Sequence, residues 1–401
     1  MEPFEALATL ASDHRVRFDG SPSLAAAVRE KTPSSRLRPA MNLDGDQVMT
    51  PDTVLSRLAL STPLDLLDDP FHLFRRWAAL KYLGAFESVL EPFEYHPRLG
   101  LSTRTRKVRA NQRRVFSEEL GIGFAIEAGV RWLANGIPDS IIRTVDVDNI
   151  EDTIPGIAGL ITSSSNRRPD YIQLRSVPFQ PNILLVTALE AKGSKFDNQS
   201  LLQLGNASEQ LDALTIGGTP VPGLASAAVL NDWSVKVNVL ETSWPAGDPL
   251  PAVDAAHAFE RGPRDGGQTI ETFTAAALVT SWATQAAVVG NEAAYRRWSP
   301  QRRDERRLPP RDVVQTDVGP IAGVRYVAPI LGGLIEAVIG LPVDLDDVLT
   351  EAPPEYLLSA QAQRARELRA TLQERRTSAG DEPTTVLSST SDGLVMTLRA
   401  L

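Results

Sequence analysis

The sequence predicts an α/β protein in which a mixed sheet is flanked by helices, with helical additions at both ends. Residues 110–245 show the patterns of a helix, three strands, a second helix and further strands, in that order. The flanking segments instead carry apolar residues at helical spacing between Pro and Gly. We therefore expect a mainly helical region at 1–100, a core at 101–250, and a mainly helical extension with a short β segment and a tail at 251–401.

The bulk composition is that of an ordinary globular protein, with 401 residues, 42% hydrophobic and 23% charged. The absence of cysteine excludes disulfides, thiolate zinc sites and cysteine nucleophiles. The amino terminus has no leader pattern, and no apolar stretch is long enough to cross a membrane, so we expect a cytoplasmic protein without a membrane partner. The net charge of -9 argues against a protein coated with nucleic acid, although a local basic segment can still bind phosphate.

The first core helix is predicted from VFSEELGIGFAIEAGVRWLANG. Its apolar face includes Phe116 and Ile126 at helical spacing, and Asn135-Gly136 supplies a stop. Glu119 lies on the same face, so one carboxylate interrupts an otherwise apolar stripe.

Three strands are predicted next, from TIPGIAGLITSSS, PDYIQLRSV and NILLVTALEAKG. The run from Ile183 to Leu189 is apolar almost without alternation, which is typical of a central strand covered on both faces. NQSLLQLGNASEQLDALTIGG then reads as a helix, and GLASAAVLND and VKVNVLETSW read as two more strands.

Charged residues emerge where two of these strands meet the surface. Pro169-Asp170 opens the second strand, and Glu190, Ala191 and Lys192 close the third. Because side chains alternate across a strand, Glu190 and Lys192 share a face. If the two strands pair as an antiparallel hairpin, Asp170 lies beside Glu190, and two carboxylates then meet one lysine.

This group of residues suits metal-assisted hydrolysis of a phosphodiester. Mg2+ prefers hard oxygen ligands and binds through one or two carboxylates together with substrate phosphate. Asp170 and Glu190 supply the carboxylates, and the Ala191 carbonyl is a further candidate ligand. A bound metal lowers the pKa of water, and Lys192 is placed to orient or deprotonate that water.

The segments RRPDYIQLR and ILLVTALEAKG resemble the motif of the PD-(D/E)XK, or restriction-endonuclease-like, nuclease superfamily. The resemblance covers roughly residues 110–245 and implies a core of helix, three-strand meander, helix and strand. It also implies that Asp170 and Glu190 bind Mg2+ or Mn2+, and that Lys192 serves the nucleophilic water.

The resemblance implies two further site residues. An acidic residue on the first helix often assists the metal in this superfamily, and we prefer Glu119 to Glu118 because Glu119 lies on the apolar stripe, where a buried carboxylate needs a partner. Several members also carry a glutamine on the helix after the strands. Gln203 and Gln210 share one face there, and we prefer Gln210.

A basic run immediately precedes the first helix and is a candidate for holding a nucleic-acid backbone. The alternative is a solvated helix face or connector. The members of the run are Arg104, Arg106, Lys107, Arg109, Arg113 and Arg114.

The predicted function is therefore Mg2+-dependent endonuclease cleavage of DNA, in restriction or defence against foreign DNA, with a second copy or a defence-system protein as a candidate partner. RNA is an alternative substrate, and a non-catalytic binding or assembly subunit is an alternative role. The motif alone is weak, since Pro51-Asp52 and Pro138-Asp139 also occur. Asp170 capping a turn, with Glu190 and Lys192 as an exposed ion pair, is the purely structural alternative.

Overall fold

The computed structural model describes residues 2–61, 81–137, 140–165, 167–231, 234–244, 249–261, 269–299, 308–378 and 385–401. Among these residues no helix has both the length and the apolar character needed to cross a membrane. The helices are α1 Pro3–Ala11, α2 Pro22–Lys31, α3 Pro51–Ser61, α4 Thr103–Arg106, α5 Ala110–Ala134, α6 Val147–Thr153, α7 Asp197–Leu211, α8 Ala255–Arg261, α9 Ile270–Val288, α10 Glu292–Trp298, α11 Val343–Glu351 and α12 Pro354–Ser378.

The strands form one large mixed sheet and two smaller sheets. The large sheet contains β1 His14–Asp19, β2 Arg38–Pro39, β3 Gly45–Met49, β4 Phe86–Val89, β5 Arg98–Leu101, β6 Ile142–Asp146, β8 Tyr171–Val177, β9 Gln180–Ser194, β12 Gly223–Leu230, β13 Val235–Glu241 and β14 Ala252–Asp254. A three-stranded sheet contains β7 Ile161–Thr162, β10 Thr215–Ile216 and β11 Thr219–Pro220. A five-stranded sheet contains β15 Asp312–Thr316, β16 Gly319–Ile330, β17 Gly333–Pro342, β18 Thr385–Ser389 and β19 Val395–Ala400.

The main path of the large sheet runs β4-β5-β1-β13-β12-β9-β8-β6. β6, β8 and β9 form an antiparallel meander, β12 lies parallel to β9, and β13 returns antiparallel to β12. Helices α5 and α7 pack against β9 and β12. The predicted mixed sheet flanked by helices is confirmed, as are the central position of β9 and the strands after α7.

One predicted strand is wrong. The segment TIPGIAGLITSSS forms the end of α6, a short 3-10 helix at Ile157–Leu160 and the two-residue strand β7, which belongs to the three-stranded sheet. Gly156 adopts φ 86°, a left-handed turn that interrupts an extended chain. The first strand of the meander is instead β6, whose Arg143 is buried and hides the apolar pattern that marks a strand.

The terminal regions contain more β structure than the sequence predicts. β1, β4 and β5 join the large sheet, with β1 parallel to β13, although residues 1–100 are predicted to be mainly helical. In the carboxyl-terminal region the expected short β segment is part of a five-stranded sheet. For β1 the reason is that a six-residue strand pairs with the distant β13, which local periodicity does not report. In contrast, β16 and β17 are long hairpin strands of 12 and 10 residues, of which the sequence prediction included only a short part. Buried apolar side chains from all three regions lie in one continuous cluster.

A close helix-to-strand contact sets the position of α5 over the end of β9. A Cβ atom on Gly193 would lie 1.9 Å from the Ser117 carbonyl oxygen, and one on Gly121 would lie 2.5 Å from the Gly193 Cα. Only glycine permits backbones to approach this closely. The contact brings the first half of α5, including Glu118, beside the strand end that carries Glu190 and Lys192.

Candidate active site

The site forms where β9 continues beyond the start of its antiparallel neighbour β8. Tyr171, the first residue of β8, pairs with Leu189, so residues 190–194 of β9 extend past the start of β8. Asp170 immediately precedes β8 and therefore lies beside this stretch, whose other edge pairs with β12. The antiparallel hairpin on which the sequence prediction depended is present.

Asp170 and β9 hold each other through reciprocal hydrogen bonds. The Asp170 amide donates to Glu190 Oε2 at 3.0 Å, and the Ala191 amide donates to Asp170 Oδ2 at 3.0 Å. On an extended strand the amide and carbonyl of one residue point to the same edge, so the Ala191 carbonyl also points to the side of Asp170. The predicted positions of Asp170, Glu190 and Ala191 are thus brought together.

The Lys192 ammonium lies between the two carboxylates. Its Nζ is 3.2 Å from Asp170 Oδ2 and contacts Glu190 Oε1. Burial alone lowers the pKa of Lys192, but the attraction of Glu190 and Asp170 outweighs burial and raises it above its ordinary value. Lys192 is therefore a cation held by two acids.

Glu190 is the buried member of the group, with none of its side chain exposed. Burial, followed by the negative charge of Asp170, raises the pKa of Glu190 to about 8, although Lys192 acts in the opposite direction. Two carboxylates close together in a poorly solvated place favour either a proton or a further positive charge. The burial of Glu190 excludes the alternative in which Glu190 and Lys192 form an ordinary exposed ion pair.

A polar cleft of about 670 Å3 opens beside this group. Asp170, Ala191 and Lys192 line the cleft, as do Gln203 and Gln210 of α7. Gln210 donates to the Arg168 carbonyl at 2.9 Å, and Gln203 donates to the Gly193 carbonyl at 3.2 Å. The two glutamines therefore hold the chain segments that carry the acids, one segment each.

Glu119 lies elsewhere and is not brought into the cleft. Its carboxylate binds the Lys81 ammonium and the Tyr82 hydroxyl, and the Tyr82 ring packs edge-on against Phe116. Glu119 and Phe116 do share a face, as predicted, but that face packs on Lys81 and Tyr82. The next residue towards the amino terminus, Glu118, lines the cleft instead.

Asp146 is a cleft residue that the sequence reasoning missed. It ends β6 and accepts hydrogen bonds from the amides of Asp148 and Asn149, which caps α6. Burial raises the pKa of Asp146 to about 6; the two amides act against this, and the charges of Asp148 and Asp170 add to it. The signal available in the sequence was an Asp at the junction of an apolar strand and a helix start.

The basic run extends from α4 through the turn after it to the start of α5. Lys107, Arg109 and Arg114 are exposed, and Arg114 forms an ion pair with Glu118 at 3.2 Å. Arg104 is also exposed, whereas Arg106 and Arg113 are half-buried, and Arg106 binds Glu87. Because Glu118 lines the cleft, Arg114 places one end of the run beside it.

The donor set can be tested against a divalent metal. Among the described residues no group of three or more His, Cys, Asp or Glu side chains is arranged to hold a metal ion. The oxygens of Asp170 and Glu190 nevertheless converge on one cation, the Lys192 ammonium. Two carboxylates and a carbonyl are hard oxygen donors, a set that fits Mg2+ when water and phosphate complete the coordination.

Comparison of the chain with protein-family models, with curated proteins and with solved structures found no match.

Proposed function

We propose that the protein is a metal-dependent nuclease that hydrolyses phosphodiester bonds, with DNA as the favoured substrate. The observation that carries the proposal is the convergence of Asp170 and Glu190 on one cation at the edge of a polar cleft. A buried carboxylate that keeps a second carboxylate beside it is costly unless positive charge is present. Such an arrangement is typical of sites that bind metal or perform chemistry.

The order of elements supports a restriction-endonuclease-like core. Helix α5, the meander β6-β8-β9, helix α7 and strand β12 follow one another as that superfamily requires. The motif residues also stand where the resemblance implies, with Asp170 before the second meander strand and Glu190 and Lys192 near the end of the third. Fold and motif thus support the same activity.

Each residue has a role that follows from its position. Asp170 and Glu190 would hold Mg2+ or Mn2+, with the Ala191 carbonyl as a further ligand. The metal, when bound, supplies a water of lowered pKa and offsets negative charge on the reacting phosphate. Lys192 orients the attacking water through its ammonium donors. The water oxygen bonds to phosphorus, one P–O ester bond breaks, and a proton of the water passes to the departing oxygen, which leaves a phosphate monoester and a hydroxyl group.

The basic run suits a role in holding the phosphate backbone. Lys107 and Arg109 are exposed, and Arg114 lies one helical turn from Glu118 at the cleft. Cationic side chains bind nucleic acid mainly through phosphates, which explains how a chain of charge -9 can bind it locally. Restriction or defence against foreign DNA is the role we favour, with a second copy or a defence protein as partner.

A cleavage assay tests the proposal. Purified protein is incubated with plasmid, linear duplex, single-stranded DNA and RNA, with Mg2+, with Mn2+ or with a chelator. We expect cleavage of DNA that requires the metal and is lost in Asp170→Asn. Cleavage of RNA alone would move the substrate to RNA, and no cleavage of any substrate would favour a non-catalytic assembly role.

The matched control is Asp19→Asn. Asp19 also faces a lysine across strands, with Lys236 Nζ at 3.0 Å, but it lies outside the cleft. We expect this variant to retain cleavage. Loss of cleavage in both variants would indicate a general effect on folding and would contradict the assignment of the site.

A further inference from the structure

Strand β9 carries an exposed phenylalanine at each end. Phe179 precedes the strand and is 88% exposed, and Phe196 follows it and is 60% exposed. A single exposed ring is ordinary on a protein surface, so the groups around each ring decide whether it is a candidate binding surface. Phe196 stands at the end that carries Glu190 and Lys192, whereas Phe179 stands about 45 Å away along the strand.

Phe196 is held in a fixed position despite its exposure. Its amide donates to Ser194 Oγ at 3.0 Å, and Ser194 itself is buried. The Phe196 carbonyl accepts from the amides of Gln199 and Ser200, both at 3.1 Å. The backbone is therefore tied on one side to β9 and on the other to the first turn of α7, so the ring projects from a rigid base.

A lysine accompanies the ring. Lys195 Nζ lies 5.6 Å from the centroid of the Phe196 ring, a cation–π contact. No ion pair of Lys195 with a carboxylate occurs within the described part of the chain. The adjacent acid, Asp197, faces Lys236 at 3.8 Å. Within the described residues the Lys195 ammonium has a ring contact and no ion pair, so it is available to a phosphate.

We propose that Phe196 and Lys195 form a subsite for an unpaired nucleotide next to the scissile phosphate, with the base on the Phe196 ring and the phosphate beside Lys195. Phe196 follows Lys192 by four residues, so their Cα atoms are at most about 14 Å apart. The inference rests on the proposed nuclease function, whose substrate it narrows to a strand with an unpaired base at this position.

The chemistry favours a nucleobase over other occupants. An aromatic ring stacks on any base, and a nearby cation binds the phosphate that every nucleotide carries. A purely apolar partner would leave the Lys195 ammonium in an apolar contact without a counter-charge, which is unfavourable. The subsite is therefore expected to bind single strands with little sequence preference.

The test measures binding in a chelator, where no cleavage occurs. Fluorescence anisotropy follows a labelled single-stranded oligonucleotide and a second strand whose central residues lack bases. We expect Phe196→Ala to bind the normal strand about tenfold more weakly than the wild type. We also expect the wild type to lose a similar factor on the abasic strand, and Phe196→Ala to lose little further. Phe196→Trp, which keeps a stacking surface, is expected to restore binding.

Phe179→Ala is the matched control, since it removes an exposed ring from the opposite end of the same strand. It is expected to bind both strands as the wild type does. Equal binding of the normal strand by wild type and Phe196→Ala would overturn the inference. A change in sedimentation of Phe196→Ala without a change in DNA binding would also overturn it, because the ring would then contact a second copy.

The result is separable from that of the proposed function. Binding is measured without metal, and cleavage is measured with metal on the intact protein. Cleavage by the wild type together with unchanged binding by Phe196→Ala would overturn only the subsite. Base-dependent binding without any cleavage would support nucleotide binding at Phe196 and Lys195 and contradict the nuclease proposal, together with the placement of this nucleotide next to a scissile phosphate.

Discussion

Two lysines lie at nearly the same level of the large sheet and face acids on neighbouring elements. Val229 of β12 pairs with Ser194 on one side and with Lys236 on the other, so Lys236 is close in level to Lys192. Lys192 faces Asp170 and Glu190, whereas Lys236 faces Asp19 at 3.0 Å and Asp197 at 3.8 Å. Each lysine therefore has two carboxylates.

The two groups differ in burial and therefore in electrostatics. Burial raises the pKa of Asp19, but the Ser21 hydroxyl and Lys236 outweigh it and hold that pKa below its ordinary value. In the other group, burial and Asp170 raise the pKa of Glu190 to about 8 in spite of Lys192. In the Lys236 group (Lys236, Asp19 and Asp197), the lysine and neighbouring hydrogen bonds stabilise the charged carboxylate of Asp19. In the Lys192 group (Lys192, Asp170 and Glu190), the lysine does not offset the burial of Glu190 and the charge of Asp170.

The comparison teaches that a lysine beside two acids does not by itself make a site. What distinguishes the Lys192 group is a fully buried carboxylate held next to a second one, at the edge of a cleft. Matched variants follow from this difference, because Lys192 and Asp170 in one group have Lys236 and Asp19 as their counterparts in the other.

The largest expected effect is on cleavage. Lys192→Ala should lower the rate of DNA cleavage by about a hundredfold or more, because it removes the ammonium donor that orients the attacking water. Lys236→Ala, whose lysine is similarly exposed at 32% against 27%, should retain cleavage. Rates of plasmid cleavage under saturating Mg2+ check this pair, and a similar loss in both variants would contradict the contrast.

The next effect is on the pH dependence of stability without metal. A folded pKa of about 8 for Glu190, against an ordinary value of 4.5, means that the folded state retains a proton between these pH values. The unfolding free energy should therefore fall as pH rises from 4.5 to about 8, by about 1 kcal/mol per pH unit at most. Because the raised pKa of Asp146, about 6, adds a slope of its own at lower pH, urea unfolding of wild type and Glu190→Gln is compared between pH 6 and 8, where the variant should lack the slope.

For Asp19 the unfolding free energy should change with pH in the opposite direction. Its folded pKa is lowered from 3.8, so its contribution to stability is present above pH 3.8 and is lost as pH falls through the lowered value. Asp19→Asn should therefore change stability on the acid side and leave the slope near neutral pH unaltered. A neutral-pH slope that persists in Glu190→Gln would show that another group causes it.

A smaller effect should separate two adjacent glutamates. Glu118→Gln should lower cleavage several-fold, because Glu118 lines the cleft. Glu119→Gln should leave cleavage nearly unchanged and lower the unfolding free energy by about 1 kcal/mol, because it weakens the contacts with Lys81 and Tyr82. Parallel measurements of cleavage and of urea unfolding check this. Loss of cleavage in Glu119→Gln, with cleavage retained in Glu118→Gln, would return Glu119 to the site.

The smallest effect concerns substrate binding by the basic run. Replacing both Lys107 and Arg109 by alanine should weaken binding several-fold at low salt and reduce the slope of log affinity against log salt by about 2. Arg36→Ala, which removes an arginine that is 77% exposed and outside the run, is the control and should leave the slope unchanged. An unaltered slope in the double variant would assign the run to a solvated surface.

The central part of the site could be predicted because its determinants are local. An apolar strand ending in Glu190 and Lys192 follows a strand that Asp170 opens, and a short turn between them leaves an antiparallel hairpin as the simple pairing. Alternation along β9 then places Glu190 and Lys192 on one face. These steps require only the period of a strand and the length of a turn.

The parts that failed depend on distant contacts. The helical stripe of α5 correctly grouped Glu119 with Phe116, but the sequence does not reveal that Lys81 and Tyr82 pack on that face. Strand β6 is not predicted from the sequence, because the charged Arg143 interrupts its apolar pattern. Arg143 is nevertheless buried and binds Gln361 of α12. Asp146 was missed together with that strand.

Metal binding tests most directly whether Asp170 and Glu190 hold a divalent ion and the group of Asp19 and Asp197 does not. Titration of Mn2+ by isothermal calorimetry compares wild type, Asp170→Asn and Asp19→Asn in the absence of nucleic acid. We expect binding to wild type and Asp19→Asn, and an affinity at least about tenfold lower for Asp170→Asn. Equal affinity of Asp170→Asn and wild type, or no binding to wild type, would contradict it.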